Sequence, residues 1–206
     1  MSRHKIVLAT RNSGKIAEFR RILDEIAPDS IELLGLENFP DLEDVEETGS
    51  TFEENSLLKA RAICAATNLP AIADDSGLCV DALGGDPGIF SARWSGVHGD
   101  DRANLEKVLL QLKETPAEKR GAHFTCVASF VTPDGYWVTR EGILQGYISK
   151  APIGEHGFGY DPIFTPTGTT LSMAQLEAQA KDAISHRGQS LRAIAPLVAA
   201  KLGALG

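Results

Sequence analysis

The run Lys5 to Thr10 (KIVLAT) is apolar and β-branched, is cut by Arg11-Asn12-Ser13-Gly14, and gives way at once to Ile16, Phe19, Ile22, Leu23 and Ile26 at helical spacing. A strand that turns directly into an amphipathic helix opens a βα unit, and that helix must bury its apolar stripe on a sheet face. The same punctuation recurs downstream. An acidic stretch, Glu37 to Gly49, leads into Ser50-Thr51-Phe52-Glu53-Glu54. There Thr51 with Glu54, or Ser50 with Glu53, makes a capping box for a helix running to about Thr67. Ala71-Ile72-Ala73 then reads as a short buried strand that stops at Asp74-Asp75-Ser76-Gly77. This alternation predicts an α/β sheet with helices on its faces and a site in the loops at strand ends.

Beyond a Gly/Pro-rich loop, Gly84 to Gly88, Asp101 is positioned to cap a helix with Leu105, Val108, Leu109 and Leu112 on one face. Ala122 to Val131 and Tyr136 to Ile148 flank Pro133-Asp134-Gly135, a hairpin expected to form a second lobe. Ser172 with Gln175 can cap a helix through Lys181, and Gln189 to Leu202 forms a last helix in which Pro196 predicts a kink or break.

A chain of 206 residues fits one large domain, 1–206, or two closely fused lobes, and can bury a sizeable core. Its formal net charge of -8 argues against sequence-independent nucleic-acid binding, which needs basic residues to displace counterions. A small anionic ligand needs only a few cations and backbone N–H groups, so that class stays open. Cys64, Cys79 and Cys126 form no CxxC pair and read as buried thiols. The N-terminus lacks the apolar stretch of a signal peptide, and no later run approaches the roughly 18 apolar residues of a membrane span. The expectation is a cytoplasmic protein with neither membrane nor nucleic acid as partner.

Several segments carry chemistry. In Thr10-Arg11-Asn12-Ser13-Gly14-Lys15 a strand-to-helix turn offers backbone N–H groups, a helix dipole and a lysine to phosphate oxygens. It is not a Walker A loop, and an ordinary βα turn with a surface lysine would look the same. Glu46 and Glu47 precede a glycine, and Asp74 and Asp75 follow an apolar run. Such pairs suit Mg²⁺, which takes one or two protein carboxylates and completes its shell with water and substrate phosphates. They could also deprotonate a water. Alternatively, Glu46 and Glu47 are a solvated acidic loop. Asn55 and Lys59 share a helix face, as a surface pair or as the wall of a site. Phe158, flanked by glycines in Gly154 to Pro162, could stack on a base or simply pack. His186 and Arg187 could donate to an oxo group or a phosphate, or serve a helix terminus.

Together these segments resemble the inosine triphosphate pyrophosphatase family, the dITP/XTP pyrophosphatases that remove deaminated purine nucleotides. The matching order is Thr10-x-Asn12-x-x-Lys15, Glu46-Glu47-Thr48-Gly49, Phe52-x-Glu54-Asn55, Lys59-Ala60, Ala73-Asp74-Asp75-Ser76-Gly77, Gly84-Gly85-x-Pro87-Gly88, Ser91-Ala92-Arg93, Gly157-Phe158-Gly159-Tyr160-Asp161-Pro162 and Ser185-His186-Arg187-Gly188. The resemblance spans about residue 5 to residue 202. It implies an α/β fold, elongated and two-lobed, with a mixed β-sheet flanked by helices, a nucleotide cleft between the lobes, and a homodimer. It implies a hydrolase that cuts ITP, dITP or XTP to the monophosphate and pyrophosphate with Mg²⁺. In that reading Thr10, Arg11, Asn12, Ser13, Gly14 and Lys15 hold the triphosphate. Glu46 and Asp75 carry the metal, Asp75 accepts the proton, and Lys59 neutralises phosphate charge. Ser76, Phe158, Gly159, Tyr160, Asp161, Lys181, His186 and Arg187 bind the nucleotide. Arg11, where the family has a small or uncharged residue, and Trp94, where tyrosine is frequent, are departures that leave Asn12 and Lys15 untouched. The alternative is a related nucleotide pyrophosphatase acting on modified pyrimidine or methylated triphosphates.

Overall fold

Parallel pairing of the first strands sets the sheet. In the computed structural model, which describes residues 3–26, 28 and 30–204 without the Ser13 side chain, β1 (His4–Leu8) lies between β2 (Ile31–Leu34) and β3 (Ala71–Val80). It runs parallel to both, with Val7 opposite Ala71 and Leu8 opposite Ile72. Parallel neighbours need crossover connections. These are α1 (Ser13–Ile26) and α2 (Phe52–Thr67), as the helical spacing predicts. β4 (Gly121–Val131) and β5 (Trp137–Ile148) extend the order to β2-β1-β3-β4-β5-β6, and β6 (Phe164–Pro166) is antiparallel to β5. The sheet is therefore mixed and six-stranded.

The chain separates into two compact units: Met1–Asp75, Cys126–Gly142 and Arg187–Gly206 in the first, Ser76–Thr125 and Ile143–His186 in the second. The first has two apolar clusters. One packs Phe19, Ile22 and Leu23 of α1 with Ile6, Ile72 and Phe130 and with Leu191, Ile194 and Val198 of α5 (His186–Leu202). The other packs Ala60, Ile63 and Cys64 of α2 against Val7, Ala71 and Ala73. The second unit centres on Leu78, Val80, Phe124, Ile148, Ile163, Phe164 and Met173, joined by Leu105 and Val108 of α3 (Asp101–Gln111) and by Leu112 at its C-terminal cap. No helix among the described residues is long and apolar enough to cross a membrane.

Five expectations change. β3 does not stop at Ala73 but runs ten residues to Val80, so Asp74 and Asp75 sit inside a strand. The hairpin strands do not form a lobe of their own: β3, β4 and β5 each divide their residues between the two units. Asp100, not Asp101, caps α3, its carboxylate accepting from the Ala103 N–H at 3.0 Å. Ser172 and Gln175 do form a capping box, but for a single 3₁₀ turn. Leu176 and Glu177 are extended before α4 (Ala178–Ile184) begins. The last helix starts at His186 and continues through Pro196 without ending, because Ile194, Ala195, Val198 and Ala199 are buried on both sides of the proline.

Candidate active site

The loop from Thr10 to Lys15 is ordered by its own side chains. Thr10 Oγ1 accepts from the Asn12 N–H, and Asn12 Oδ1 accepts from the Lys15 N–H at 3.1 Å, which makes Asn12 the cap of α1. Arg11 turns away, its guanidinium bound to Asp44 at 3.0 Å and to the Leu42 carbonyl at 2.7 Å. Gly14 is exposed in the first turn of α1.

Lys15 reaches across to β3, where its ammonium meets Asp74 at 2.8 Å. The same carboxylate accepts from Arg187 at 3.2 Å, and Arg187 in turn holds Glu18 of α1 at 3.0 Å. Arg187 and Glu18 are only 4% exposed, so this is a buried chain of alternating charge. Burial alone would raise the Asp74 carboxyl, but Lys15, Arg187 and Lys59 outweigh it and hold it well below the usual carboxylate range. Burial would likewise lower the Arg187 guanidinium, and Asp74 and Glu18 reverse that. Below them the buried Cys126 thiol lies 3.8 Å from Asp74 and accepts from the Ser190 hydroxyl. Burial and Asp74 push it up to about 12, an inert thiol.

Asp75 differs from its neighbour. Successive side chains on a strand point to opposite faces, and Asp75 meets α2 instead of α1. Its Oδ1 accepts from Lys59 at 3.2 Å, and Lys59 also takes Glu47 at 2.6 Å. Its Oδ2 is buried with no partner. Burial raises the Asp75 carboxyl and Glu47 adds to the rise, against the pull of Lys59 and Lys15, leaving it pushed up to about 6. Burial opposes the charge on Lys59, but Asp75, Glu47 and Asp74 raise it overall. An orphaned carboxylate oxygen with a second carboxylate close by is a hard-oxygen donor set of the kind Mg²⁺ accepts. It is also a carboxylate poised to take a proton near neutral pH. Glu46 is exposed, and the contact with Lys59 is made by Glu47.

The second unit gathers the remaining residues. Asp161 accepts from the Phe158 N–H at 2.9 Å and from Lys181 at 2.5 Å, and the Lys181 ammonium lies 4.6 Å from the centre of the Phe158 ring. The loop closes so tightly that a Cβ on Gly157, at φ +78°, would strike the Asp161 carboxylate. The Gly159 N–H donates to Asp101 at 2.8 Å. Tyr160 is buried and donates its hydroxyl to the Ser91 carbonyl, and burial raises that hydroxyl's pKa. His186 is buried and stacked on Phe124, with centroids 4.6 Å apart. Ser76 is half-buried in β3. Sequence reasoning missed Glu18, although its place one turn after Lys15 on α1 was a readable signal. Arg187 as the partner of Glu18 and Asp74 had no local signal at all.

The sequence profile of the Ham1 family matches residues 6–197. The dITP/XTP pyrophosphatase of Streptomyces avermitilis is 55% identical over 97% of this chain and 99% of its own length. That of Nocardia farcinica is 50% identical over 97% of each. Among solved structures, the Staphylococcus aureus Ham1 protein superposes with a TM-score of 0.83 at 43% identity, covering 96% of this chain and 99% of that one. A HAM1 protein from Coxiella burnetii superposes at 0.86 and 39%, covering 96% and 99%. With a family match over nearly the whole chain and relatives of this similarity, the protein belongs to the Ham1 family.

Proposed function

We propose that this protein is a nucleoside triphosphate pyrophosphohydrolase that converts deaminated purine nucleotides, dITP, XTP and ITP, to the monophosphate and pyrophosphate. This activity would clear such nucleotides from the pool that feeds DNA and RNA synthesis. The observation that carries it is Asp75, a buried carboxylate with one oxygen on Lys59, the other unpartnered, and an ionisation raised to about 6. Relatives 55% and 54% identical that bear the name dITP/XTP pyrophosphatase support the substrate class.

In this reading Asp75 and the acidic pair Glu46 and Glu47 hold Mg²⁺. The ion would screen the triphosphate and stabilise charge gathering on the leaving pyrophosphate. Asp75 takes the proton of the attacking water. Lys59 moves from Glu47 toward phosphate oxygens as substrate arrives, and Lys15, oriented by Asp74, does the same from the α1 terminus. Thr10 to Lys15 contribute backbone N–H groups.

Among the nucleotide-binding residues, Phe158 offers a ring for stacking, with Gly159, Tyr160 and Asp161 shaping its loop and Ser76 lining β3. Lys181 and His186 supply donors for a 6-oxo purine. Arg187, its plane fixed by Glu18 and Asp74, is a pre-oriented guanidinium for the same purpose. An adenine presents its 6-amino donor to those donors, a mismatch that discriminates strongly. The two compact units act as one functional domain, the protein works as a homodimer, and its place is the cytoplasm. The test is a panel of ITP, dITP, XTP, GTP, ATP and a modified dTTP with products identified. Pyrophosphate released from the first three, and only with Mg²⁺, is expected. Orthophosphate with the diphosphate, or faster turnover of the pyrimidine, would overturn the reading.

A further inference from the structure

The acidic pair sits in a stretch, residues 42–49, with neither helix nor strand. Two adjacent carboxylates on irregular backbone repel each other and drift toward solvent unless the backbone is tied down. Three bonds tie its end to the start of α2. Asn55 Oδ1 accepts from the Gly49 N–H at 2.8 Å, and the Glu54 carboxylate accepts from the Ser50 N–H and hydroxyl, each at 2.7 Å. The Glu54 contacts are exposed, whereas Asn55 is fully buried, so water cannot stand in for the Asn55 bond. Gly49 is fitted to this contact, since a Cβ there would come within 2.7 Å of both Asn55 Oδ1 and Glu54 Cβ. One turn beyond Asn55, on the same face of α2, stands Lys59 with Glu47 and Asp75 on its ammonium. Asn55 Nδ2 is also buried and has no partner. The oxygen is thus the atom through which the Asn55 side chain ties down the segment.

We propose that Asn55 is a positioning residue: through the Gly49 N–H it anchors the acidic segment so that Glu47 meets Lys59 beside Asp75. The inference rests on the reading of those carboxylates as the Mg²⁺ site and extends it to a residue that touches neither metal nor substrate. It is tested by Mn²⁺ binding to the metal-free protein, followed by electron paramagnetic resonance, which needs no turnover. Asn55→Ala and Gly49→Ala each weaken Mn²⁺ binding about 10- to 100-fold. The double variant weakens it no further than the worse single one, because both release the same segment. At saturating metal kcat recovers and KM for nucleotide stays unchanged. Wild-type circular dichroism with Mn²⁺ affinity within about twofold of wild type in both single variants overturns the proposal. If Asn55→Ala does not fold, Gly49→Ala, whose lesion lies outside the helix, decides by the same criterion. Failure of the underlying reading looks different: the wild type then binds Mn²⁺ no better than Asp75→Asn, and the positioning role falls with it.

Discussion

Asp74 and Asp75 are adjacent, and both are buried, yet their environments drive them apart. Asp74, surrounded by Lys15, Arg187 and Lys59, ionises well below the ordinary range, so its contribution to stability is present above the unfolded value and is lost as pH falls below that value through the lower folded one. Asp75 has the opposite sign. Its folded value of about 6 lies above the reference of 3.8, so its contribution is favourable below that reference and is lost as pH rises through 6. At pH 7.5 without metal the ionised Asp75 therefore destabilises the fold. Asp75→Asn should abolish turnover while raising the Tm of the metal-free protein by about 5 °C in a thermal melt. Mg²⁺ should raise the Tm of the wild type and not of the variant. The sequence made this pair conspicuous, since two acids after Ala71-Ile72-Ala73 must be compensated. It could not say which acid was satisfied, because the compensating charges come from α1, α2 and α5, up to 113 residues away.

Elements are joined by those same charges. The chain Glu18, Arg187, Asp74, Lys15 links α1, α5 and β3 in a buried setting where removing one member strands the others. Arg187→Met should lower the denaturation midpoint by the equivalent of about 3 to 5 kcal/mol with an unchanged m-value. A local feature of α2 behaves more modestly. Thr51 caps the helix by accepting from the Glu54 N–H at 3.1 Å, and Thr51→Ala should lower stability by about 1 kcal/mol in the same urea titration. That cap was legible because Thr51 and Glu54 stand three residues apart, although the Glu54 carboxylate accepts from Ser50 and not from the Thr51 N–H that a full capping box would use. β3 was misread for the converse reason. Asp, Ser and Gly are depleted in strands, and only the distant partners that neutralise Asp74 and Asp75 allow the ladder to run on to Val80. The box at Ser172 and Gln175 was equally visible, but nothing local announced that Leu176 and Glu177 would leave the helix after one turn.

For the whole molecule, the net charge of -8 is spread over a chain whose lysines and arginines near Asp74 and Asp75 are already paired with acids. Fluorescently labelled duplex DNA should show no anisotropy change with the protein at physiological salt, because a net charge of -8 disfavours approach to the phosphate backbone. Fold class was readable from alternating periodicities, but the division of the chain was not. Each of β3, β4 and β5 feeds both units, a non-local arrangement that no window of sequence encodes. One consequence concerns how the gene can be cut. Boundaries between compact units normally fall in exposed linkers, where insertion and circular permutation succeed. Here a boundary falls at Asp75–Ser76, in the middle of a buried strand. New termini or inserted domains should be accepted at the exposed turn around Asp134 and Gly135. At the unit boundary itself they would separate the buried Asp75 carboxylate from its own backbone support.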